Sequence, residues 1–188
     1  MSVPDSQEGA SFARLADFIR ETSRAHLAQF AKLKAAALSE ISADRPVLAH
    51  WISLILISGK QVRITFRIHF HTAAARELAS GAFSAPTTKV SSEQAHDFAK
   101  EFCNFCAGRI KHLLTANGYE VGISLPLTMR GFDQVFEEPS GETYAFEDRW
   151  MIVGDRETIF CSTLIESANP LAITKIPSLD ETGEVSFL

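Results

Sequence analysis

The stretch from Ser91 to Gly118, SSEQAHDFAKEFCNFCAGRIKHLLTANG, constrains this chain more than any other. Its apolar residues return at helical spacing: Phe98, Phe102, Cys106, Ile110 and Leu113 form one stripe, joined by Ala99, Cys103 and Leu114. At about 100° per residue, the opposite side collects Glu93, Asp97, Glu101, Asn104, Gly108 and Lys111. Ser91 can cap the start, and Gln94 three residues later completes a capping box. Asn117-Gly118 supplies the left-handed residue on which helices commonly end. The pattern predicts a helix with one dry and one wet face. A stripe of charges and amides opposite an apolar stripe is ordinarily just the solvated side. Gly108 is the exception, because a glycine in mid-helix costs about 1 kcal/mol relative to Ala. It makes sense where another backbone or a partner must approach closely.

At 188 residues the chain fits one domain, or one domain with an appendage. A hydrophobic content of 46% is ample for a core, and 22% charged residues rule out a disordered chain. The formal net charge of -5 argues against a nucleic-acid binder, which normally carries a basic face. No 18-residue apolar run exists, so no membrane span is expected. The opening MSVPDSQEGA lacks the basic and apolar regions of a signal peptide. Three cysteines, an odd number, fit free thiols in a reducing compartment. The expected location is the cytoplasm.

Residues 1–8 are polar and expected to be disordered. A helical segment follows over 9–40, with Phe12, Leu15, Ile19, Phe30, Leu33 and Ala37 on one stripe, interrupted by Thr22 and His26. A helix from Ser11 to about Leu38 would reach about 40 Å, more than a small domain needs. The expectation is a break near Thr22-Ser23, or packing on another subunit. His26 reads as a tolerated position on a weak seam rather than a ligand, since no metal-ligand spacing surrounds it.

Sheet is expected from residue 47, where VLAHWISLILI is a near-continuous apolar run. After the turn SGKQ, residues 61–71 alternate without a fault, as in a half-buried antiparallel strand. Residues 72–83 read as a short helix and 85–88 as a loop. Val121, Ile123, Leu125, Leu127 and Met129 alternate with polar or small residues, and Pro126 places that strand at an edge or bulge. Tyr144, Phe146, Trp150 and Ile152 mark another strand, joined through Gly154-Asp155 to residues 157–165 in a tight hairpin. The tail from Glu166 is polar, with a short strand at 172–176 its one candidate element. The reading is an α+β fold: a mainly antiparallel sheet flanked by helices, with a long N-terminal helix.

Few other residues suggest chemistry. Cys103-x-x-Cys106 has redox spacing, but reactive pairs sit at a helix N-terminus, whereas these lie mid-helix on the apolar side. His69 and His71 share one strand face, and no third ligand is spaced to complete a zinc site. They read as a solvated polar face. Neither a glycine-rich phosphate loop nor a Gly-x-Ser-x-Gly elbow is present. Trp51 and Trp150 read as core.

Asp97-x-x-x-Glu101-x-x-Asn104, followed by Ala107-Gly108, Ile110-Lys111 and VGISLP at 121–126, resembles the signature helix of the CheX/CheC/FliY group of chemotaxis phosphatases. Upstream, ITFRIHFHTAAARELASGAF at 64–83 resembles the family's strand and short helix, and the likeness spans roughly 45–166. It implies that the helix lies across the phospho-aspartate site of a CheY-like response-regulator receiver. Asn104 would orient the attacking water, and Glu101 would pair with the receiver's lysine. Asp97, Gly108 and Lys111 would share the partner-binding face. The resemblance implies no cofactor of the chain's own, Mg2+ in the receiver, and a homodimer through an edge strand. The alternative is an adaptor that binds a receiver through the same helix without turnover.

The motif alone is short, and a second copy at Glu166 and Asn169 runs into Pro170 and reads as chance. The helix at 72–83 offers Glu77 and Ser80 instead of a second motif, so one site is expected, as in the CheX branch. Phe105, Cys103 and the long N-terminal helix depart from the family pattern.

Overall fold

The computed structural model describes residues 6–32, 37–40, 49–131, 144–154 and 157–178. The elements are α1 (Ser6–Phe30), β1 (Ala37–Glu40), β2 (Trp51–Gly59), β3 (Val62–Phe70), α2 (Thr72–Phe83), α3 (Ser92–Ala116), β4 (Val121–Ile123), β5 (Leu127–Arg130), β6 (Tyr144–Val153) and β7 (Thr158–Ser167), with a 3-10 turn at Thr87–Lys89. The described strands form one sheet in the order β1-β6-β7-β3-β2-β4, with β5 also on β2, and every pairing is antiparallel. Val62, Ile64, Phe66, Ile68 and Phe70 of β3 are all buried, meeting apolar residues of the three helices in one core. This is the α+β arrangement that the alternation of β3 and the period of α3 predict.

Three expectations need correction in the N-terminal third. Helix α1 already runs at Ser6, within the stretch expected to be disordered, and passes Thr22-Ser23 without a break. Thr22 and Ser23 are buried, and the sheet supplies a polar partner for Ser23: the Trp150 indole N–H donates to Ser23 Oγ at 3.2 Å. Ser23 Oγ in turn donates to the Arg20 carbonyl at 2.7 Å. The helix then ends at Phe30 rather than Leu38. Ala37–Glu40 pairs with β6 instead, Ala37 opposite Val153 and Glu40 opposite Trp150. Sheet pairing overrides the helix propensity of these four residues.

The strand expected over 47–57 is shifted to Trp51–Gly59; Val47 and Leu48 lie outside the described residues, as does Asp155 of the second hairpin. Pro126 separates β4 from β5, and both lie on β2 at the sheet edge. Glu166 belongs to β7 rather than the tail. No strand forms at 172–176. That segment is an extended strap, fastened chiefly by Asn117 at the end of α3. Asn117 Oδ1 accepts from the Thr174 and Lys175 amides at 2.8 and 2.9 Å, and its Nδ2 donates to the Lys175 carbonyl at 2.8 Å. Leu171 and Ile173 of the strap are buried.

His69 is a further correction, being only 6% exposed rather than solvated. Its ring meets Ser162 Oγ at 3.2 Å on the neighbouring strand. Burial, aided by Arg67 and Arg149, pushes its pKa down to about 4. Burial alone does the same to His26, also to about 4. Both are neutral in the fold and take up a proton more readily when unfolded, where the pKa is near 6.5. Stability is therefore complete above about pH 6.5 and falls as pH drops toward 4, by about 2 kcal/mol per histidine at pH 5. Thermal melts should show a lower Tm at pH 5 than at pH 7, and His26→Phe should flatten part of that slope. An equal slope in wild type and variant would contradict this assignment for His26.

Candidate functional site

Helix α3 is capped as its sequence predicts. Ser91 Oγ accepts from the Gln94 amide at 3.1 Å, and Gln94 Oε1 accepts from the Ser91 amide at 2.9 Å. Gly118 takes the left-handed conformation, φ 85°. These ends set where the helix starts and stops, and burial of Phe98, Phe102, Cys103, Cys106, Ile110, Leu113 and Leu114 turns its apolar side inward. Burial holds the Cys103 and Cys106 thiols well above their usual range, which removes the thiolate that redox chemistry needs. Among the described residues no group of three or more His, Cys, Asp or Glu is placed to hold a metal ion.

The opposite face presents the residues singled out in the sequence. Asp97, Glu101 and Lys111 are exposed, and Asn104 and Gly108 are partly exposed. Asp97 is paired with Lys100 at 2.8 Å. Among the described residues, Glu101 and Asn104 have no side-chain hydrogen bond or ion pair. Spaced i, i+3, they sit about 5–6 Å apart at Cβ on neighbouring turns. One offers a carboxylate that only accepts, the other an amide that both donates and accepts. Both are therefore available to something outside the chain. The second Glu-x-x-Asn copy differs in every respect: Glu166 is 6% exposed on a strand and accepts from Arg63 Nε at 2.7 Å.

One flank of this face is built by residues whose grouping is not visible in the sequence. The His26 ring of α1 stacks on Phe105 of α3, centroids 3.8 Å apart, and lies 4.4 Å from the Phe30 ring. His26 Nδ1 is buried without a hydrogen-bond partner among the described residues, in keeping with a neutral ring used for stacking. The bulk of Phe105 thus serves the docking of α1. Only the period of α1, which brings His26 and Phe30 to one side, hinted at this.

A family model described as chemotaxis phosphatase CheX matches residues 52–146, just over half of the chain and all of α3. The chain belongs to the CheX family. Solved structures repeat the fold. A CheC-like superfamily protein from Shewanella sp. PV-4 has a TM-score of 0.64 at 18% identity, covering 81% of this chain and 97% of its own. The chemotaxis protein CheX from Vibrio vulnificus has a TM-score of 0.62 at 16% identity, covering 81% and 99%. A CheX–CheY–BeF3–Mg2+ complex from Borrelia burgdorferi has a TM-score of 0.64 at 11% identity, covering 80% and 96%. At these identities the likeness is one of fold. No curated protein matches the chain. The CheX model begins at residue 52, so α1 lies outside the matched segment.

Proposed function

We propose that this CheX-family chain accelerates hydrolysis of the phospho-aspartate of a CheY-like receiver domain. The observation that carries the proposal is the pair Glu101, exposed, and Asn104, partly exposed, one turn apart on α3 and without partners among the described residues. Acyl phosphate hydrolysis needs a water held in line behind phosphorus, which is a positioning task. Asn104 fits it, because its amide can both accept a hydrogen bond from the water through Oδ1 and donate one through Nδ2. Glu101 anchors the helix by pairing with a receiver lysine in a charge-assisted bond. Mg2+ is held by the receiver, and the reaction proceeds without a nucleophile or covalent intermediate on this chain. Asp97, Gly108 and Lys111 complete the contact face, with Gly108 allowing close approach.

The experiment is phosphate release from a Mg2+-loaded, phosphorylated CheY-type receiver. Glu101→Ala should raise KM about tenfold, the loss of one charge-assisted contact. An unchanged KM would remove Glu101 from the interface. The setting we propose is cytoplasmic chemotaxis or two-component signalling; no helix among the described residues is long and apolar enough to cross a membrane.

We also propose that two copies associate through the edge formed by β4 and β5. Ile123, Leu125 and Leu127 are exposed there by 38%, 85% and 56%, a cluster on an edge that can accept another strand. Light scattering at about 100 μM should report a dimer, as any Kd in the low micromolar range or tighter requires. A monomer under those conditions contradicts the association.

A further inference from the structure

We infer that Phe30, at the end of α1, is a specificity-determining contact for the receiver; this rests on the phosphatase reading above. Its ring is 47% exposed although it adjoins a packed aromatic group, with centroids 4.4 Å from His26 and 6.0 Å from Phe105. Phe105 follows Glu101 by four residues, so the two are neighbours on the surface of α3. A receiver seated on Glu101 and Asn104 therefore meets the Phe30 ring on the same side of the helix.

The end of α1 that carries Phe30 is held by a costly junction. Just beyond Phe30, the backbone of Ala31 lies so close to Gly81 of α2 that a Cβ at Gly81 would fall 1.9 Å from the Ala31 oxygen. Lys32 and Ser84 both take left-handed backbone angles, φ 52° and 51°, and Lys32 Nζ donates to Ser84 Oγ at 2.7 Å. Left-handed non-glycine residues are unfavourable, and here two helix ends accept them to meet at one corner. The result is a half-exposed aromatic residue on the same side of α3 as Glu101 and Asn104, which have no partners among the described residues. Aromatic side chains bury large areas and dominate interface energetics where a partner covers them. The occupant is the receiver seated on Glu101 and Asn104. Because this contact lies beside, and not at, the Glu101–Asn104 pair that would act at the phosphoryl group, it selects among receivers rather than serving catalysis.

The test uses a CheY-type receiver that the wild type dephosphorylates, with KM and kcat measured for Phe30→Ala and Phe30→Tyr, and affinity for the Mg2+- and BeF3-loaded receiver measured in parallel. Phe30→Ala should raise KM and Kd about tenfold and leave kcat within about twofold, while Phe30→Tyr stays near wild type. If Phe30→Ala melts early, Phe30→Leu, which retains apolar packing on His26, is read by the same KM criterion. Unchanged KM and Kd, in an assay where Asn104→Ala is inactive, overturn the role of Phe30 and leave the phosphatase reading intact. A wild type that neither binds nor dephosphorylates any receiver overturns both.

Discussion

Asn104→Ala should abolish the acceleration of receiver dephosphorylation while leaving receiver affinity within about twofold of wild type. The side chain is partly exposed and makes no bond within the described residues, so its removal costs the fold nothing. Alanine is a better helix former than asparagine by roughly 0.5 kcal/mol, so Tm should hold or rise slightly. On the proposed mechanism, what is lost is the amide that would orient the attacking water. Losing one such positioning group lowers kcat about 10²–10³-fold. Asn104→Asp tests the same point differently, because it keeps the size but places a negative charge against a phosphoryl group. It too should be inactive, and with weaker binding. Measured together, kcat and affinity separate a water-positioning residue from a docking residue, which would lose affinity first.

The second large effect concerns stability. Arg20→Ala should lower the unfolding free energy by about 3–5 kcal/mol, a Tm loss of roughly 10 °C for a chain of this size. Asp148 of β6 is 6% exposed, and Arg20 of α1 binds both its oxygens: Nε donates to Oδ2 at 2.7 Å, and an Nη group to Oδ1. A second Nη donates to Glu40 of β1 at 2.8 Å. Removing the guanidinium strands a buried carboxylate between helix and sheet. Glu40, with 80% of its side chain exposed, is screened by solvent, and Glu40→Ala should cost no more than about 0.5 kcal/mol. Replacing Arg20 and Asp148 together by apolar residues should cost less than Arg20→Ala alone, because no unpaired charge remains. Thermal melts of the three variants check the ranking. A double variant weaker than the single one would contradict the desolvation argument.

The parts of the fold that were legible in the sequence are those set by local chemistry. Ser91 and Gln94 cap α3 because both partners lie within four residues, and Gly118 ends it because the required backbone angle is a one-residue property. Pro126 breaks the edge strand for the same reason. The wet face carrying Glu101 and Asn104 follows from the helical period alone. What escaped depends on partners distant in sequence. Thr22-Ser23 looks like a helix break until Trp150, 127 residues after Ser23, is seen to donate to it. Ala37–Glu40 is a strand only because β6 lies beside it. The strap at 171–178 has no periodic signal and is held by Asn117, which reads in sequence as a simple helix end. The aromatic corner of His26, Phe30 and Phe105 needs the crossing of α1 over α3, which no local pattern fixes.

The central claim is that this chain turns over a receiver's phospho-aspartate, and the most direct measurement is a time course of phosphate release with the chain present at a small fraction of the phosphorylated receiver. The account predicts many turnovers per chain with the wild type and a rate equal to the receiver's own with Asn104→Ala. A wild-type rate no faster than the receiver alone, with binding intact, would contradict it and make the α3 face that of an adaptor.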